Sequence, residues 1–395
     1  MNIVVEHDLR YASLLAAANA TTKVGTLTHS FYRYPARFGE TFVREAVLNF
    51  SREGDGVLDP FCGGGTTLVE ALALGRSAIG SDLSELAIFI ARAKTTPLSP
   101  AQLTRVSRWV EATAASTRHL LSAHADSKDA RLDGMPARYR NLIANARGHI
   151  ARLPKGECQD FATCVLLKTA QWALDGKETL PKPSRFVQRL TDSFAEMKIG
   201  MTTYAEQIRR VGLSKAELLQ RRRLHVSSAE RLSPKSLGKG KPPVSLVVTS
   251  PPYLGVHVLY NRWQLQGRRE LKAPFFIANR TDLGGASSYT IVSRSAKSSD
   301  RYFAAISSSF RSVASLIHDR AYVVQLVSFA NAEVSLPLYL SALGAAGLEL
   351  CDTYLRSAGE LSWRAVPGRR WYARVGAVAD SSASQEVLLV HRKGR

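Results

Sequence analysis

The chain is short of acidic residues: 33 Asp and Glu against 53 Lys and Arg over 395 residues leave a formal net charge of +20. It is short of cysteine as well. The four present, Cys62, Cys158, Cys164 and Cys351, form no C-x-x-C pair, and no histidine cluster stands at metal-binding spacing, which argues against a zinc site and a disulfide framework. Nowhere is there a run of about 18 apolar residues, the length that a membrane-spanning helix requires. The opening MNIVVEHDLR carries Glu6 and Asp8 where a secretory leader carries positive charge. Together these absences predict a reduced, cytoplasmic protein with no metal and no membrane span.

Apolar material is plentiful. Hydrophobic residues make up 45% and charged residues 22% of the chain, enough for a sizeable core and too little charge for general disorder. The length fits one large domain with an insertion, or two domains. Excess cation on a chain that folds points to a polyanionic partner, nucleic acid ahead of an anionic membrane surface.

No internal repeat is evident, but the pattern changes along the chain. From Gly54 to Asp82 it reads strand (Gly56–Asp59), glycine turn (Pro60–Gly65), helix from Thr66 to Leu74 closed by Gly75, and a second strand from Ser77. A second α/β stretch begins at Val244 to Val248 and continues through a helix after Asp300 and a strand at Ala321–Leu326. A helix at Val334–Ala346, a strand at Leu348–Tyr354 and a last strand at Glu386–His391 complete it. Between the two lies a mainly helical block with stripes at Leu103, Val106 and Val110, at Phe161 to Leu174, and at Phe186, Leu190, Phe194 and Met197. Ser214 to Glu217 reads as a capping box. Residues 96–243 hold 26 Lys and Arg against 13 Asp and Glu, so the excess charge concentrates where the α/β pattern is interrupted. The expected division is 1–95 and 224–395 as two parts of one core, with 96–223 as a basic helical insertion.

Asp59-Pro-Phe-Cys-Gly-Gly-Gly-Thr-Thr67 sits at the carboxyl end of a predicted strand, where open α/β sheets bind ligands. Its glycines let backbone approach a ligand, and Asp59 can accept from a cationic or amide donor. The turn lacks the Gly-Lys-Ser/Thr ending of a phosphate loop and the G-x-G-x-x-G spacing of a dinucleotide fold. Asp82 ends the next strand 23 residues on, placed to accept from ribose hydroxyls or to cap the helix that follows.

The Asp59–Thr67 turn resembles the S-adenosylmethionine motif of the amino-group DNA methyltransferases, and Thr249-Ser-Pro-Pro-Tyr253 resembles their catalytic tetrapeptide with its leading Thr. Tyr34-Pro-Ala-Arg-Phe38 is similar to the segment that closes over the methionine end of the cofactor in that family. The resemblance covers residues 28–93 and 224–330, and not the helical block. It implies a Rossmann-like class I methyltransferase fold: a mostly parallel seven-stranded sheet with an antiparallel C-terminal strand, here with a large helical insertion. It also implies S-adenosylmethionine held by Tyr34, Pro35, Ala36, Arg37 and Phe38, by Asp59, Pro60, Phe61, Cys62, Gly63, Gly65, Thr66 and Thr67, and by Asp82, Leu83, Ser228 and Thr249. The motif order resembles the subclass whose target-recognition region lies between the two motifs. One departure stands out, because Ser228 lies where members carry an acidic residue for the adenine amine; Glu230 or a backbone amide is the candidate replacement.

Ser250, Pro251, Pro252 and Tyr253 suit transfer to an exocyclic amine. The lone pair of such a nitrogen is conjugated into the base ring, so a catalyst must accept both N–H hydrogens and draw the nitrogen toward tetrahedral geometry. Ser250 Oγ and the Pro251 carbonyl can do so, aimed by consecutive prolines of fixed φ. Tyr253 offers a face for an extruded base, a gain of roughly 1–3 kcal/mol per base. Cys62 is not read as a nucleophile, since it lies in the cofactor turn. In this family Ser as the first residue leans toward cytosine N4 and Asp toward adenine N6, so the resemblance implies a cytosine-N4 enzyme, with adenine N6 as the alternative. An RNA base methyltransferase and a weakly active DNA-binding subunit are the further alternatives.

Three stretches are candidates to hold DNA: Arg221, Arg222 and Arg223, behind a helix–turn–helix-like Tyr204–Leu219; His257, Tyr260, Arg262, Trp263, Arg268 and Arg269 after the catalytic motif; and Arg364, Arg369, Arg370 and Arg374 before the last strand. The expected partners are double-stranded DNA, placing the protein at the nucleoid, and a cognate restriction endonuclease or defence-system component. The excess charge is expected to form a cleft beside Tyr253.

Overall fold

The computed structural model describes residues 2–20, 26–34, 39–120, 129–238, 243–254, 262–266, 269–283, 297–351, 361–365 and 385–394. Ten strands are present among them: β1 (Gly56–Asp59), β2 (Ser77–Asp82), β3 (Arg222–Val226), β4 (Val244–Thr249), β5 (Trp263–Leu265), β6 (Arg269–Leu271), β7 (Ile317–Val327), β8 (Leu348–Leu350), β9 (Ser362–Ala365) and β10 (Gln385–Lys393). The main sheet runs β3-β2-β1-β4-β7-β10-β8, with β9 also paired to β10. Its five leading strands are parallel, and β10 is antiparallel to all three of its neighbours. This is the Rossmann-like α/β architecture that the motifs imply, with a reversed C-terminal strand, but β9 makes the sheet eight-stranded where seven were expected.

Strand order supplies the functional geometry. From β1 the chain steps outward to β2 and β3 and then returns to β4 on the other side of β1, so the order reverses between β1 and β4. Loops leaving the carboxyl ends of these two strands diverge and leave a crevice, the usual ligand position of open α/β sheets. Both strands are apolar runs buried on both faces, as strands in the middle of a covered parallel sheet must be.

Each face of the sheet has its own core. Phe42, Val47, Leu68, Leu72, Tyr204, Ile208 and Leu218 pack on one side. Tyr302, Ile306, Phe310, Val313 and Tyr339 pack on the other. A third core belongs to the helical block, whose helices Pro100–Leu120, Ala137–Ile150, Glu157–Leu174 and Pro183–Arg210 bury Trp109, Phe161, Phe194 and Met197. It is continuous with the sheet layer, because Leu86 and Ile90 of the helix Glu85–Lys94 and the Phe31–Tyr34 segment join the same cluster. Gly200 marks the tightest crossing. A Cβ there would lie 2.1 Å from the Leu27 carbonyl oxygen, so only glycine lets the long helix pass under Leu27, itself held at φ +53°.

Several expectations change. Arg222 and Arg223 do not end the helical block; they form β3, the outer strand of the sheet. The helix–turn–helix-like stretch is the end of Pro183–Arg210 plus the seven-residue helix Lys215–Arg221, with the expected capping box at Ser214, and its apolar side covers the sheet rather than facing outward. Ser362–Ala365 is a strand paired with β10, not part of an excursion toward DNA. Among the described residues no helix is long and apolar enough to cross a membrane.

Candidate active site

Two loops meet at the switch point, and Asp59 joins them. At the end of β1 its carboxylate is buried and accepts from Thr67 Oγ1 at 2.8 Å, Thr249 Oγ1 at 2.7 Å and the Phe61 amide at 3.2 Å. Burial pushes its pKa up to about 6, and the bonds from Thr249, Thr67 and Phe61 oppose the rise. Three of the four acceptor positions of Asp59 are taken by the protein, one remaining on Oδ2, and the carboxylate pins the helix Thr66–Ala73 and the end of β4 to β1. Thr67 and Thr249 are wholly buried in the same arrangement, and Thr66 nearly so.

The glycine turn is compact. Gly65 caps the helix at φ +76°, in the left-handed region, and its amide closes the turn on the Cys62 carbonyl at 2.7 Å. Cys62 is buried beside Asp82 and Asp59, which together with burial raise its thiol pKa well above normal, so it remains a thiol. Pro60 and Phe61 continue the turn, and Phe61 packs toward Phe310. Tyr34 lies directly on the glycines: a Cβ at Gly63 would be 2.9 Å from its ring. Sequence reading missed Lys94, a buried lysine whose Nζ lies 3.5 Å from the Cβ position of Gly64. Pro35, Ala36, Arg37 and Phe38 lie outside the described residues.

Asp82 combines its two expected roles in a different way. Oδ2 accepts from the Gly63 amide at 2.9 Å and Oδ1 from the Ser84 amide at 2.8 Å, while Ser84, not Asp82, caps the helix Glu85–Lys94. Each oxygen keeps a second lone pair. Burial pushes its pKa up to about 6 against those two amide bonds. Leu83 beside it is exposed. Ser228 follows β3, next to Ser227, whose amide bonds the Asp82 carbonyl; its own hydroxyl accepts from the Glu230 amide.

After β4 the Ser250-Pro-Pro-Tyr253 loop is rigid and bonded. Ser250 Oγ lies 2.7 Å from the Tyr253 hydroxyl, and Tyr302 donates to the Pro252 carbonyl at 2.9 Å. The Tyr253 hydroxyl donates to Glu386 Oε1 at 2.9 Å, with the Leu326 carbonyl at 3.4 Å as its second acceptor neighbour. Glu386, Tyr302 and Lys94 went unrecognised because their partners are distant in sequence, and no local spacing marks them.

The proposed DNA contacts are largely reassigned. Arg222 puts one nitrogen among the Arg92 and Thr95 carbonyls and the Thr95 and Thr96 hydroxyls, closing the end of the helix Glu85–Lys94. Arg221 donates to the Gly75 carbonyl and Arg223 to those of Gln220 and Arg222. Arg262 is buried between Glu270 and Asp282. Trp263 anchors the helical core through Tyr32 at 3.0 Å. Arg364 is buried, with Nε 2.8 Å from Glu386 Oε2 and a second nitrogen on the Ala18 carbonyl. The guanidinium groups of Arg262 and Arg364 are spent on the fold, where a fixed fork of donors matches carbonyls and carboxylates, whereas Arg221 and Arg223 are part-exposed and each engages one nitrogen. His257, Tyr260, Arg268, Arg369, Arg370 and Arg374 lie outside the described residues, as does the side chain of Arg269.

Residues 15–92 match the family model of the N6/N4 DNA methylases. The Type II methyltransferase M.MvaI of Kocuria varians is 37% identical over 94 residues, 23% of this chain and 20% of that protein. The orphan methyltransferase M.BamHII of Bacillus amyloliquefaciens is 34% identical over 84 residues, 21% of this chain and 31% of that one. The chain therefore matches between a fifth and a third of the length of these relatives. A TehB-like SAM-dependent methyltransferase from Corynebacterium glutamicum aligns over 99% of this chain and 97% of its own at 10% identity, with a TM-score of 0.32. At that score the fold assignment rests on strand order alone.

The family implies S-adenosylmethionine as cofactor, and the crevice fits it. Tyr34 packs on the backbone of Gly63 and Gly64, and Asp82 at the end of β2 bonds the Gly63 amide while each of its oxygens has one partner among the described residues.

Proposed function

We propose that the chain, whose residues 15–92 match the family model of the N6/N4 DNA methylases, methylates the exocyclic amine of a base extruded from double-stranded DNA, cytosine N4 above adenine N6. The observation that carries this reading is the bond from Thr249 to Asp59, which fastens the proline loop beside the glycine turn at the switch point. S-adenosylmethionine, when bound, supplies an electrophilic methyl group. Asp82 would accept from its ribose hydroxyls, and Leu83, the Ser228 turn, the Gly63–Gly65 backbone and Tyr34 would hold the rest of it. Ser250 Oγ and the Pro251 carbonyl would accept the two N–H hydrogens and Tyr253 would lend its ring to the base; the nitrogen–methyl bond forms as the sulfonium C–S bond breaks to a thioether, and the nitrogen's proton passes to solvent.

DNA recognition is placed on the helical block and the segment after Tyr253, in a basic cleft. High salt then weakens DNA binding and leaves cofactor affinity nearly unchanged. A nuclease or defence partner and a nucleoid location follow from this reading. Expression in a host lacking the protein, followed by sequencing that separates N4-methylcytosine from N6-methyladenine, tests base and site together. Unmodified DNA would sink the proposal. Labelled methyl transfer to structured RNA in preference to duplex DNA would replace the substrate, and no cofactor binding at millimolar concentration would remove enzymatic function altogether.

A further inference from the structure

A serine that accepts from an amine must present lone pairs, yet a serine hydroxyl can equally present its proton. The surroundings of Ser250 decide between the two. Its Oγ is 2.7 Å from the Tyr253 hydroxyl. That hydroxyl has one proton, and it also lies 2.9 Å from Glu386 Oε1 and 3.4 Å from the Leu326 carbonyl, both of which only accept. The tyrosine proton is therefore committed away from Ser250, and the serine proton is committed to the tyrosine oxygen. The remaining lone pairs of Oγ are left for an incoming amine. Behind this chain Arg364 grips the other oxygen, Glu386 Oε2, and is itself tied to the Ala18 carbonyl.

We propose that Glu386 is a positioning residue: acting through the Tyr253 hydroxyl, it fixes the hydrogen-bond polarity of Ser250 so that this serine accepts from the target amine. The proposal rests on the reading of Ser250 given above. It assigns Tyr253 a second task, through its hydroxyl, besides the stacking expected of its ring. Chains of bonds that end on a charge also polarise one another, which makes the serine oxygen a better acceptor.

Glu386→Gln releases the polarity. Arg364 holds the amide oxygen at the Oε2 position, so the amide NH2 turns to Tyr253 and donates to it, and the tyrosine proton is then shared between the Leu326 carbonyl at 3.4 Å and Ser250. Tyr253→Phe removes the link, keeps the ring, and leaves the Glu386–Arg364 pair whole. The test uses the full-length protein, tritiated S-adenosylmethionine and total DNA from a host that lacks the enzyme. Single-turnover methyl transfer is followed alongside calorimetric cofactor affinity and thermal melting. Loss of one electrostatic contact of this kind slows transfer by about tenfold or more, so Glu386→Gln should lose at least that, with cofactor affinity within about twofold of wild type. Tyr253→Phe should lose less, and the double variant should return to the Tyr253→Phe rate.

Such rescue cannot come from simple damage to the fold, which would compound. Wild-type transfer by Glu386→Gln, or additive losses in the double variant, overturns the positioning role while Ser250→Ala remains inactive. Wild-type transfer by Ser250→Ala overturns the amine-acceptor reading itself, whatever Glu386 does.

Discussion

The loops after β1 and β4 leave neighbouring parallel strands side by side and solve opposite problems. The first discards side chains: three successive glycines let Tyr34 and Ala91 close directly on backbone, and the carboxylates of Asp59 and Asp82 accept from the Phe61 and Gly63 amides. The second fixes side chains: two successive prolines lock φ, Ser250 is bonded to Tyr253, and Tyr253 to the distant Glu386. A cofactor site gains from close approach, whereas a site for chemistry gains from aim. Asp59 and Thr249 make the two solutions a single piece.

The contrast can be broken from either side. The largest expected effect is on the proline loop, where Ser250→Ala should cut methyl transfer by about 10²–10³ with cofactor affinity unchanged, as for the loss of one preorganised polar contact. Equal losses in transfer and in calorimetric binding would refute the separation. Gly65→Ala attacks the other loop. At φ +76° its new Cβ would stand 2.9 Å from the Ala91 Cβ, and a melting experiment should show about 1–3 kcal/mol of lost stability together with weakened cofactor binding.

The joint between them is tested by Thr249→Val, which leaves a buried Asp59 oxygen short of a donor. About 1–3 kcal/mol of stability should disappear in denaturant titration, and both cofactor affinity and transfer should fall together.

The smallest effect is in pH. Burial raises Asp82 to about 6, so below that value a proton competes with ribose donors for its oxygens. Binding adds donors and favours the carboxylate, so it releases a proton and weakens by up to tenfold per pH unit under acid. Cofactor titrations from pH 7 to 5 on wild type and Asp82→Asn separate this from Asp59, which titrates in the same range; the substitution should flatten part of the slope.

Both loops and the strands that carry them were legible because their signals are local: apolar runs ending in glycine or proline punctuation. The arginines were not. Net charge made Arg222, Arg262 and Arg364 look like phosphate contacts, but a buried arginine is recognised only by its partners. Those partners, Thr95, Asp282 and Glu386, are distant in sequence or come from other elements. Arg364 is a case in which the difference is measurable, because removing one partner of a buried pair costs about 3–5 kcal/mol while an exposed phosphate contact costs the fold little. β9 escaped notice for a related reason: four residues containing an arginine carry too little alternation to announce a strand.

The crossing at Gly200 bears on how such a protein can be rebuilt. Helix Pro183–Arg210 runs with no side chain between it and Leu27, and the Leu27–Tyr34 segment ends on the glycine turn. The helical block is therefore not a cassette. A chimera that imports another block must import its own version of residues 26–34 and a glycine opposite them, or the graft will unseat the cofactor loop it was meant to leave alone.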